Sequence, residues 1–70
     1  MAKYIKGTFL ITNETSFISE IEIINIFSTE NKEEWYIVNF TGHSSTNIKV
    51  LAFIIEESYH INFRKIFNKL

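Results

Sequence analysis

Few residues in this chain have the chemistry to act on a substrate, and their spacing limits what they can do. There is no cysteine and no aspartate, so every carboxylate side chain is one of eight glutamates. Glu20 and Glu22, two apart on a strand, would lie about 7 Å from each other, a separation some glycosidases use. No cleft for a sugar is predictable from so short a chain, and a solvated pair is the simpler expectation. Glu57 and His60 are spaced Glu-x-x-His, which on a helix is half of a carboxylate-bridged metal site. That site needs the motif twice and two further carboxylates, so these residues are expected to decorate an exposed helix face, with no metal or cofactor. His43 and Ser44 are adjacent, a spacing that does not by itself give the through-space geometry of a nucleophile and its base.

The stretch FTGHSST, residues 40 to 46, is the other candidate. Gly42, His43, Ser44, Ser45 and Thr46 join two apolar runs with the composition of a hairpin connection: glycine for a positive φ, hydroxyls for the loop backbone. The same amides and hydroxyls suit an anion such as a phosphate, with His43 adding a donor or a charge. In that reading Trp35 or Tyr36 stacks on a nucleotide base. The glycine and lysine spacing of a P-loop is absent.

The elements that must position these residues follow from periodicity. Tyr4 to Thr12 alternates, with Ile5, Phe9 and Ile11 on one side, and reads as a strand at a sheet edge where Lys6 discourages stray pairing. Phe17 to Phe27 is a second strand with Ile21, Ile23 and Phe27 on one face and Ile18, Ile24 and Ile26 on the other. Trp35 to Thr41 is a third, setting Tyr36, Val38 and Phe40 opposite Trp35 and Ile37. The run IKVLAFII reads as a fourth strand from its β-branched content, although Ile48, Leu51, Ala52 and Ile55 also have helical spacing. Tyr59, Phe63, Ile66, Phe67 and Leu70 recur at three and four residues. With Glu56 and Glu57 before them and Arg64, Lys65 and Lys69 near the end, they predict a terminal amphipathic helix whose charges suit its dipole. The expectation is a single α+β domain over residues 1–70: a four-stranded antiparallel meander with one C-terminal helix packed on one face.

Composition narrows the function. Apolar residues make up 46% of the chain, including seven phenylalanines, too much to bury for a disordered segment. The net charge is −1 and the seven basic residues are dispersed, which argues against nucleic acid. The strand aromatics Trp35, Tyr36, Phe40 and Phe53 lack the basic residues and signature of base-stacking sheets. No run approaches a membrane span or a signal peptide, so the cytoplasm is the default compartment. Heavy use of Ile, Asn, Lys and Phe fits an AT-rich genome such as a phage or another mobile element. Chains of this size seldom stabilise themselves with one core, and without cysteine the remaining remedy is self-association. One helix covers one sheet face, yet strands two to four carry apolar side chains on both. The expectation is therefore a small non-enzymatic interaction protein, an inhibitor or adaptor, acting as a homo-oligomer. Its interface would include Tyr36, Val38, Phe40, Leu51 and Phe53. The alternative is an oligomer that holds a nucleotide-like anion at the 42–46 loop.

Overall fold

The computed structural model describes residues 2–16, 18–41 and 47–63. Strands β1 (Phe9–Thr12), β2 (Glu20–Ser28), β3 (Glu34–Phe40) and β4 (Asn47–Leu51) are followed by helix α1 (Ala52–Ser58) and strand β5 (Tyr59–Ile61). The sheet is antiparallel between neighbours, in the order β4-β3-β2-β1-β5. The expected meander is present. To it the chain adds a fifth strand, reached by passing from β4 at one edge to β5 at the other through α1.

Helix α1 is short and lies between β4 and β5 in the chain, and of the positions expected on a terminal helix Phe63 is helical. Residues 47 to 55 divide between both readings: Asn47–Leu51 extends along β3, and Ala52–Ser58 turns helical so that Ala52 and Ile55 reach the core. Tyr59, expected on the helix, instead opens β5. Its segment alternates outward and inward against β1, pairing Leu10 with Ile61 and Thr12 with Tyr59. The Asn62 N–H donates to the Phe9 carbonyl and the Asn13 N–H to the Ser58 carbonyl, both at 2.9 Å. A ladder of backbone bonds along β1 outweighs a helical continuation at these residues. The expected positions Ile66, Phe67 and Leu70 lie outside the described residues.

Strand β1 is consequently interior rather than an edge, and it is shorter than the alternation implied. Residues 5 to 8 form a turn: the Thr8 N–H and hydroxyl both donate to the Ile5 carbonyl, at 3.2 and 2.6 Å, with Gly7 at φ +90°. A side chain at Gly7 would meet no neighbour but would strain that backbone angle. The turn swings Tyr4 into the core and leaves Ile5 facing water.

The core lies on one sheet face. Tyr4, Leu10, Ile21, Ile23, Tyr36, Val38, Ala52 and Ile55 are buried together, with Ile26, Phe40, Val50 and Ile61 packed at its margin. Strand β1 keeps the expected alternation, with Phe9 and Ile11 on one shared side, whereas β2 departs from it. In β1 the core residue is Leu10, and Phe9 and Ile11 point away from it. In β2 the pairing with β3 slips between Ile23 and Asn25, so Ile24 is an extra residue that bulges the strand. Past it, Ile26 faces the core opposite Tyr36, and Phe27 moves to the other side opposite Trp35.

A tight turn joins β2 to β3. The Lys32 N–H donates to the Thr29 carbonyl and the Thr29 N–H to the Glu33 carbonyl, both at 2.9 Å. Lys32 has φ 64°, closing the loop in the left-handed region.

Candidate functional site

The sheet face opposite the core gathers the side chains that the fold itself does not use. Register places Phe9 and Ile11 on it from β1, Glu20, Glu22, Asn25 and Phe27 from β2, and Trp35, Ile37 and Asn39 from β3. Lys49 and Leu51 join from β4, and His60 from β5. Helix α1 and the N-terminal segment pack on the other side, with Ala2, Tyr4, Ala52 and Ile55 in or against the core. Among the described residues no helix or strand lies over this open face, and its apolar side chains are half-buried by their neighbours alone.

Its best-ordered feature is an aromatic pair. Phe27 and Trp35 face each other across β2 and β3 with ring centroids 6.3 Å apart and planes inclined by 5°. The Lys49 ammonium stands 4.9 Å from the Trp35 centroid and 6.0 Å from that of Phe27, a cation–π arrangement that holds the lysine stem along the face. Lys49 was the one charge in an otherwise apolar run, and its position marks which side of β4 meets solvent.

Two polar atoms on the same strand face are buried and, among the described residues, lack hydrogen-bond partners: the Trp35 indole N–H and the Asn39 Oδ1. Natural structures hold few such atoms, because each forgoes about 1–3 kcal/mol of solvation or bonding. Nearby, Glu20 accepts from the Asn62 amide. Glu22 stands between Phe9 and Asn39. The two glutamates are therefore neighbours on the open face.

The other expected site residues separate. Trp35 is on the open face, whereas Tyr36 is fully buried on the opposite one, so the two do not form one stacking surface. Tyr36 instead organises the core: its hydroxyl accepts from the Tyr4 N–H at 3.0 Å and donates to Glu56 Oε2 at 2.7 Å, and the same carboxylate oxygen accepts from the Lys3 N–H at 3.0 Å. Burial first, then the bond to Glu56, push the Tyr36 phenol up to about 12. Of the expected interface set, Tyr36 and Val38 are core residues of the chain itself and Phe40 packs against that core, which corrects their assignment to a docking surface. Leu51 does lie on the open face beside Trp35. Phe53 is 57% exposed on α1, away from it. Gly42, His43, Ser44, Ser45 and Thr46 lie outside the described residues.

Glu57 and His60 are divided between α1 and β5, which removes the helical geometry expected of their spacing. Among the described residues no group of three or more His or Glu side chains is placed to hold a metal ion. No helix among them is long and apolar enough to cross a membrane. Sequence reasoning missed Phe9, Ile11 and Phe27 as members of the open face; the last was hidden by the bulge at Ile24, which leaves no mark in composition. No protein-family model, curated protein or solved structure matches the chain.

Proposed function

We propose that this chain is a non-enzymatic interaction protein that associates with a second copy of itself through the open sheet face. The observation that supports this reading is the row of six apolar side chains, Phe9, Ile11, Phe27, Trp35, Ile37 and Leu51, on the side of the sheet away from its core.

The charge pattern favours a second copy over an unlike partner. An isologous contact requires a patch complementary to itself. This face holds a cation, Lys49, two strands away from the carboxylates of Glu20 and Glu22. The footprint is large enough for such a contact. Five strands about 4.8 Å apart, each offering five or so residues at about 3.4 Å, give a footprint of roughly 400–500 Å² per copy. Doubled, that reaches about 1,000 Å², the lower bound for a specific interface. An interface so small, offset by the entropy of association, gives micromolar rather than nanomolar affinity.

Sedimentation equilibrium over a dilution series tests this. The average mass should rise from one chain to two across the micromolar range, and Ile37→Lys, a charge in the middle of the face, should hold the protein at one chain throughout. A wild-type chain that stays single up to about 1 mM, three decades above the expected dissociation constant, refutes it.

A further inference from the structure

A cleft of about 540 Å³ opens at one end of the sheet, between the loop after β1 and strand β5. Ile11, Ile18 and Phe63 are among its apolar walls, and Thr12, Asn13, Glu14, Thr15, His60 and Asn62 are its polar ones. Ile18 and Phe63 are 67% and 59% exposed, large apolar side chains for which the core has no use.

The polar groups are oriented by bonds outside the cleft. Asn13 donates through Nδ2 to the Glu57 carbonyl at 2.9 Å, which turns its Oδ1 toward His60 Nδ1 at 2.7 Å. A carboxamide oxygen only accepts, so Nδ1 carries a proton, and the tautomer with that proton alone presents a lone pair at Nε2. Asn62 uses Nδ2 on the Glu20 carboxylate, which leaves its Oδ1 as the remaining acceptor. Glu14 adds a carboxylate. Glu14, His60 and Asn62 thus offer acceptors beside the Thr12 and Thr15 hydroxyls, which can accept or donate, and among the described residues lining the cleft there is no lysine or arginine.

We propose that this cleft binds an organic cation: an ammonium or guanidinium group joined to an apolar body. The cationic head brings several N–H donors and a charge to Glu14, His60 Nε2 and Asn62 Oδ1. The body covers Ile18 and Phe63, which removes apolar surface from water. An anion would face the Glu14 carboxylate, with no lysine or arginine among the described lining residues to offset it. The head can belong to a free amine or to a lysine or arginine side chain of a peptide. The cleft shares Ile11 and His60 with the open face, so the titration is run on Ile37→Lys, which should hold the protein at one chain, as well as on the unsubstituted protein; ligand shifts in both separate this proposal from association.

The test is an NMR titration of the full chain with 2-phenylethylamine, beside 2-phenylethanol and 3-phenylpropanoate as neutral and anionic counterparts, and with a capped Phe-Lys dipeptide. The amine should shift the signals of Ile18, His60 and Phe63 with millimolar affinity, about fivefold tighter than the alcohol, the ratio expected of one partly exposed charge pair. Glu14→Gln and His60→Ala, both at exposed positions, should each weaken binding by about fivefold. Tighter binding of the dipeptide assigns the site to a partner's basic side chain; tighter binding of the amine assigns it to a small molecule. The proposal is overturned if phenylpropanoate binds as well as the amine, or if neither cation shifts these residues by about 20 mM. It is likewise overturned if binding survives both substitutions unchanged.

Discussion

Removing a single oxygen atom, by Tyr36→Phe, should cost this chain much of its stability. Tyr36 is 0% exposed, and its hydroxyl joins three segments distant in sequence: the N-terminal strap at Tyr4, strand β3 and helix α1 at Glu56. Without it, the bond to a carboxylate is lost, worth about 1.5–3 kcal/mol, and the Tyr4 N–H is stranded in the core at about 1–3 kcal/mol. The losses overlap as Tyr4 relaxes, so about 3 kcal/mol is expected. A chain of 70 residues has a total stability of roughly 4–10 kcal/mol at about 0.05–0.15 kcal/mol per residue. In urea, with a slope near 1 kcal/mol/M for so small a domain, the midpoint should fall by about 3 M. The single tryptophan reports the transition by fluorescence, at one fixed protein concentration so that association does not confound the comparison. Glu56→Gln should destabilise less, and the pair should couple by about 1.5 kcal/mol in a double-mutant cycle, as groups in one bonded network do. A Tyr36→Phe midpoint within about 0.3 M of wild type would show that the hydroxyl network contributes nothing to holding strap, strand and helix together.

The same phenol predicts an alkaline transition. Its folded value of about 12 lies above the ordinary 10.0. The folded state therefore keeps a proton that the unfolded state has released. The resulting stabilisation is complete below pH 10 and is lost as pH rises toward 12. At about 1.4 kcal/mol per unit, roughly 2–3 kcal/mol should disappear over that range in wild type relative to Tyr36→Phe, measured as urea midpoints at each pH. Separately, Lys32→Gly should raise the thermal midpoint by several degrees, since a non-glycine residue in the left-handed region costs about 1 kcal/mol and a domain of this size gains about 4–8 °C per kcal/mol; calorimetry showing a lower midpoint would contradict the strain.

Much of this fold is legible in the chain because the binary pattern of the meander is local. Strand β3 is the clearest case: it carries no extra residue, and Tyr36 and Val38 face the core as a period of two requires. The failures have separate physical causes. At Ile24 one extra residue inverts everything after it in β2, and a bulge is decided by pairing with β3 rather than by any residue's preference. At Tyr59–Ile61 a three-residue strand is too short to display a period, and the need of β1 for a second neighbour determined its conformation. Residues 52 to 58 had helical spacing and β-branched residues at once, and the reach of Ala52 and Ile55 to the core settled the competition. The open face was foreseen as surplus apolar surface, yet its members were misassigned. Surplus is a property of composition, whereas membership depends on register.

The central claim is that a second copy covers Phe27, Trp35, Ile37 and Leu51. An isotope-filtered NOE experiment on a mixture of labelled and unlabelled chains reads that contact directly. The account predicts cross-peaks between chains from these four side chains and from Ile11, and their loss in Ile37→Lys. Cross-peaks arising instead from Phe53 and Ile54 on the helix, or a concentrated sample with none, would contradict it.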